Sequence, residues 1–212
     1  MTLQPDFVQP PRIASWLLNL FTPADDEESI MGDLREEFAH FATTSGVTFA
    51  SRWYWRQTVK TIAHLAGAGF RGAPWSTTAA VVGGLFLLHF AGELPDKVLS
   101  AVTDRYLTYW SNHFKAYMFW ATHGMLIAHL ILSMFVGCMV ALAAKGREMV
   151  ATMALSLILC GMAGFALVWV ATHRPLDAEW ALWSFAGPFA IVIGGTTVRI
   201  LRSAAKPLPW GA

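Results

Sequence analysis

The chain has 212 residues, of which 55% are hydrophobic and only 14% charged, with a formal net charge of +1. An ordinary soluble domain carries about 25% charged residues, so this composition predicts a membrane-embedded protein. A balance so close to neutral supplies no basic field to gather nucleic acid, and no nucleic-acid partner is expected.

The opening MTLQPDFVQPPR has no basic stretch followed by an apolar core and a small-residue cleavage site. No cleavable signal peptide is therefore expected, and the first residues should stay in the cytoplasm. The segment PPRIASWLLNLF predicts an amphipathic helix with Ile13, Trp16, Leu17 and Leu20 as its apolar face. A second helix should begin with Thr22 as N-cap and Pro23 at the first position, with Asp25, Asp26, Glu27 and Glu28 loading its first turn. Ile30, Leu34, Phe38 and Phe41 then recur at helical spacing while Glu36 and Glu37 face elsewhere, and the pattern ends at TTSG with Gly46. Asp33, Glu36 and Glu37 lie close along one exposed helix and do not make the cleft that acid–base hydrolysis needs. No enzyme activity and no catalytic residue are expected.

Residues 51–60 read SRWYWRQTVK. On a helix, Trp55, Val59 and Ile62 line one face with Leu65 and Trp53 near its edges, while Arg52, Arg56 and Lys60 repeat every four residues on another side. Tryptophan and tyrosine settle at headgroup depth, and each basic group contributes about 1 kcal/mol near an anionic lipid surface. Arg52, Trp53, Trp55, Arg56, Lys60 and Trp75 form the expected membrane-interface set, with the lipid bilayer as partner. The other reading is a soluble helix whose aromatics fill a small cytoplasmic core. The Gly-rich GAGFRGAPW, 67–75, is expected to bend the chain into its first span. Residues 1–72 thus predict a cytoplasmic or interfacial helical module with a thin core.

The order PPRIASWLLNLF, DDEESIMGDLREEF, SRWYWRQTVKTI carries a resemblance. Gly32, Asp33, Leu34, Glu36, Glu37 and Phe38, followed by Trp53, Tyr54, Trp55, Arg56 and Gln57, match the two helical motifs of a known module. Residues 10–66, under a third of the chain, resemble the permease prefix domain of bacterial ABC-transporter permeases of the macrolide-exporter type. The resemblance implies a bacterial inner-membrane protein and makes those eleven residues the candidate partner-binding set. Such a permease continues into a large extracytoplasmic domain and three further spans, and the chain contains neither that domain nor a Walker A loop. Transport activity is therefore not carried over.

Four apolar segments reach the roughly 20 residues that cross a bilayer, at about 75–94, 116–144, 149–171 and 180–200. They make 73–203 a four-helix transmembrane domain ahead of a cytoplasmic tail, 204–212. With both termini inside, eleven of the fifteen Lys and Arg fall on cytoplasmic segments, and only Lys97, Arg105, Lys115 and Arg174 fall outside. The KGRE turn at 145–148 makes the second and third spans an antiparallel hairpin. In the external connection Leu99, Val102, Tyr106 and Tyr109 form the stripe of one short amphipathic helix, opened by Pro95 and Asp96.

Within the spans only histidines can carry chemistry: His89 near the outer end of the first, His123 and His129 in the outer half of the second. His89 with either of the others is a candidate haem ligand pair. His123 and His129, six apart, cannot face one site, and the plainer reading is neutral histidines bonded between helices or to a backbone carbonyl. No metal site and no other cofactor are expected. Gly83, Gly84, Gly124, Gly137, Gly161, Gly164, Gly194 and Gly195 are candidate points of close helix approach. Pro188 should kink the fourth span, and Cys138 and Cys160 should pack as small hydrophobes. The reading is an all-α polytopic membrane protein acting as an accessory, regulatory or scaffolding subunit that docks another protein, or itself as an oligomer. The alternatives are a haem-binding electron-transfer subunit and a small transporter or channel-like oligomer.

Overall fold

Every element in the computed structural model is helical, as the 3.6-residue patterning predicts; residues 9–22, 26–173 and 178–205 are described. They fall into two compact units, Met1–Pro74 and Trp75–Ala212. The first contains α1 (Arg12–Phe21), α2 (Glu27–Thr44) and α3 (Val47–Gly72). Its core joins Ala14 and Leu18 of α1, Met31, Leu34 and Phe38 of α2, and Ala50 and Tyr54 of α3. Tyr54 and Phe38 meet edge to face at 5.7 Å between ring centroids, and Phe41 lies 4.9 Å from Trp53.

Three local expectations are corrected in this unit. Thr22 does not cap α2: it closes α1, fully buried, and its hydroxyl donates to the Leu18 carbonyl at 2.8 Å. Asp26 takes the N-cap position of α2; Pro23 and Asp25 lie outside the described residues. On α1 the buried set is Ala14, Leu18 and Leu20, while Ile13 and Trp16 face outward. The small Ala14 and a 3.0 Å hydrogen bond between the Ser15 and Tyr54 hydroxyls fix that rotation, which hydrophobicity alone does not reveal. Finally, α3 runs unbroken through Gly67 and Gly69. It stops at Ala73 (φ −154°, ψ 70°), because the residue before Pro74 is pushed out of the helical region. Gly46 between α2 and α3 has φ +89° and ends the acidic helix where the TTSG pattern predicts.

The second unit is a membrane bundle. Its elements are α4 (Pro74–Ala91), α5 (Leu94–Arg105), α6 (Leu107–Asn112), α7 (Phe114–Phe119), α8 (Met125–Ala143), α9 (Glu148–His173) and α10 (Ala178–Ala204). A π turn, Trp120–Gly124, joins α7 to α8. Among the described residues, four stretches are long and apolar enough to cross a membrane: Pro74–Arg105, Phe114–Ala143, Glu148–His173 and Trp183–Ala204. The connection between the first and second spans differs from expectation in one respect, breaking into α5 and α6 at Tyr106 (φ −117°, ψ 32°) rather than forming one helix.

Burial in the bundle is confined to the end at which α8 turns into α9 through Gly146 (φ +80°). Ala80, Val81 and Gly84 of α4 meet Val136 and Val140 of α8, Ala151 and Leu155 of α9 and Ile191 of α10. Beyond Gly84, before Ser133, after Ser156 and before Pro188, no described residue of these four helices is buried. Small residues set this contact, as in lipid, where no hydrophobic effect drives helix to helix. A side chain on Gly137 would strike the Ile191 backbone, and one on Gly194 the Met134 carbonyl. Gly83, Gly161 and Gly164 have open space instead, and Gly124 is crowded only by Trp120 of its own π turn. Cys138 and Cys160 are free, and the Cys138 thiol donates to the Gly194 carbonyl at 3.4 Å.

Candidate functional site

The eleven residues of the two N-terminal motifs divide by burial. Leu34, Phe38 and Tyr54 sit inside the module, with Trp53 partly buried beside them, and Gln57 is half-buried on α3. Gly32 is half-buried too, but nothing lies within 4 Å of where its side chain would stand. Asp33, Glu36 and Glu37 are exposed on α2, as are Trp55 and Arg56 on α3. Helical spacing accounts for the division: Met31, Leu34, Phe38 and Ala42 recur on the inward face of α2, and Asp33, Glu36, Glu37 and His40 on the outward one. Among the described residues, none of these three acids enters an ion pair.

The faces of α3 are arranged differently from the expected pattern. Ala50, Tyr54 and Thr58 are buried, and Ile62 packs beside them. Trp55 and Val59 do not share that side; they point outward with Arg52, Arg56 and Lys60. In SRWYWRQTVK, Trp53 and Tyr54 thus face the module core and Trp55 is left out. Trp75, at the start of α4, is 85% exposed. Among the described residues, the buried Thr58 hydroxyl has no hydrogen-bond partner.

In the bundle, each intramembrane histidine is engaged locally. The His129 ring donates from Nδ1 to the Met125 carbonyl at 2.8 Å. His123, in the π turn, stacks on Phe119 at 4.8 Å, and His89 lies against the edge of Phe90 at 5.2 Å. Among the described residues, no three His, Cys, Asp or Glu side chains converge on a metal position. Two apolar grooves flank the open half. One of about 510 Å³ lies between α5 and the second span, lined by Val98, Val102, Trp110, Trp120 and Met125. The other, about 840 Å³, lies between α8 and α10 and is lined by Ile131, Met134, Trp183 and Phe189. Among the described residues, neither lining contains an ionisable side chain.

A charge cluster at the packed end is not distinguished by sequence pattern. Glu148 is almost wholly buried, and its carboxylate pairs with Arg202 and stands 4.0 Å from Arg199. The Gly146 amide donates to the same carboxylate at 3.0 Å, and Arg202 also donates to the Leu142 carbonyl at 3.3 Å. In the sequence, Glu148 looks like one more charge in a polar turn. The available signal was a lone acid abutting an otherwise uncharged span, with two arginines closing the last helix.

No protein-family model, no curated protein and no solved structure matches this chain.

Proposed function

We propose that the protein is a non-enzymatic accessory or scaffolding subunit of a bacterial inner membrane, with both ends cytoplasmic, that docks a protein partner through its N-terminal module. The observation that carries this reading is the separation of the chain into two compact units. The module has its own core in Leu34, Phe38 and Tyr54, and it keeps Asp33, Glu36, Glu37 and Arg56 exposed. The resemblance of residues 10–66 to the permease prefix domain supports a module that serves a larger membrane assembly. The excess of Lys and Arg on one set of connections supports the orientation. An electron-transfer role draws no comparable support: the contacts of His89, His123 and His129 among the described residues are each to a neighbour within four residues on the same stretch of chain.

The test is gentle solubilisation of the tagged full chain from its native membrane, with quantitative mass spectrometry of what co-purifies and a visible spectrum of the same sample. A stoichiometric partner that is lost when residues 1–66 are deleted is the expected result. A protein that purifies alone in both forms contradicts the reading, and a Soret band would replace it with haem binding.

A further inference from the structure

Trp55 and Val59 stand out from α3 at 38% and 61% exposure, with Phe70 also exposed further along. At 100° per residue, these three fall in one sector of the helix with Arg52, Arg56 and Lys60, all exposed. The opposite face is sealed: Ala50, Tyr54 and Thr58 are buried in the module. No Asp or Glu occurs anywhere between Val47 and Gly72, so nothing on this helix compensates the positive sector. The acids of α2 occupy that helix's own outward face.

Bulky apolar side chains with a basic rim form the face of a helix that lies in a headgroup layer, where indole rings settle and cations meet lipid phosphate. Continuity of the chain favours a bilayer over a soluble partner. Only Ala73 separates α3 from α4, and the first membrane-crossing stretch begins at Pro74. We propose that the outward face of α3, built on Arg52, Trp55, Arg56, Val59 and Lys60, is a membrane-surface site selective for anionic lipid headgroups. It does not depend on the docking of a protein partner, and either can fail without the other.

The geometry makes the proposal testable. A helix standing away from the membrane would hold Trp55, nineteen residues before Pro74, up to about 28 Å from the surface at 1.5 Å per residue. Its charges would then lie well beyond the Debye length of about 10 Å. The experiment uses the full chain carrying Cys138→Ala and Cys160→Ala, spin-labelled at Val59→Cys or at His40→Cys on the outward face of α2. Each form is reconstituted in phosphatidylcholine with and without phosphatidylglycerol, and collision with a water-soluble nickel chelate and with oxygen is read by power saturation.

With phosphatidylglycerol present, the label at 59 should lose nickel accessibility several-fold relative to the label at 40 and gain oxygen accessibility. Raised salt, or Arg52→Gln, Arg56→Gln and Lys60→Gln together, should restore it. A label at 59 that is as open to nickel as the one at 40 in both bilayers overturns the proposal. Equal shielding in both bilayers that survives the three glutamines also overturns it, because a protein, a second copy included, would then cover the face.

Discussion

Arg202 is paired with Glu148 across the packed end of the bundle, tying the turn between α8 and α9 to the last turn of α10. A carboxylate as buried as Glu148 is costly unless its charge is compensated, and removing the partner leaves that cost behind. Arg199 and the Gly146 amide remain near it, and Arg202 is itself one-third exposed, so the loss is moderated. Arg202→Gln should destabilise the bundle by about 1–3 kcal/mol, and adding Glu148→Gln should recover part of that loss. Thermal unfolding in detergent, followed by tryptophan fluorescence, checks both steps.

Substitutions at glycines should separate by the space around them. Gly194→Ala places a methyl group on the Met134 carbonyl, and Gly137→Ala one on the Ile191 backbone, so each should force α8 and α10 apart and lower the unfolding temperature. Gly161→Ala and Gly164→Ala meet open space and should be neutral, or stabilising by up to about 1 kcal/mol through helix propensity. Thermal unfolding of the four single variants gives the comparison.

The module has a thin core, so its largest buried side chains should dominate its stability. Phe38→Ala should cost about 3–5 kcal/mol and melt α1–α3. Tyr54→Phe removes the hydroxyl bonded to Ser15 and should cost about 1 kcal/mol. Thr58→Val should be neutral or stabilising, because it replaces a buried hydroxyl without a partner by a group of similar shape. Hydrogen exchange of residues 27–72 in the full chain reads all three, with the bundle's amides as internal control.

Gly32 offers a sharper distinction between fold and docking. It sits inside α2 with helical geometry and free space where a side chain would stand. Gly32→Ala should therefore leave the module folded and add up to about 1 kcal/mol. If a partner backbone approaches α2 closely there, the same substitution should weaken co-purification while exchange protection is kept.

The four spans were legible because uninterrupted apolar runs of bilayer length have few other uses, and the observed stretches end within a few residues of the predicted limits except the first, which runs on to Arg105 instead of stopping near residue 94. The turn at 145–148 was equally plain, with charge and glycine between two such runs. The concentration of burial at one end of the bundle was not, since lipid-facing and packed positions are both apolar and only contacts tell them apart. In the module, helix existence followed from periodicity but rotation did not. Ile13 and Trp16 are more hydrophobic than Ala14, yet the small residue faces inward because α1 approaches Tyr54 closely. The division of the motif residues between core and surface likewise depends on which side of α2 and α3 is covered.

If the N-terminal module docks a protein partner as proposed, the acidic outward face of α2 is the surface on which one measurement tests it directly. A photo-crosslinking amino acid placed at His40, beside Asp33, Glu36 and Glu37, is activated in native membranes and the adducts are resolved by mass. The account predicts one discrete adduct that disappears with Glu36→Lys and Glu37→Lys while the chain remains in the membrane. No adduct at all, or the same adduct with the charges reversed, would contradict it.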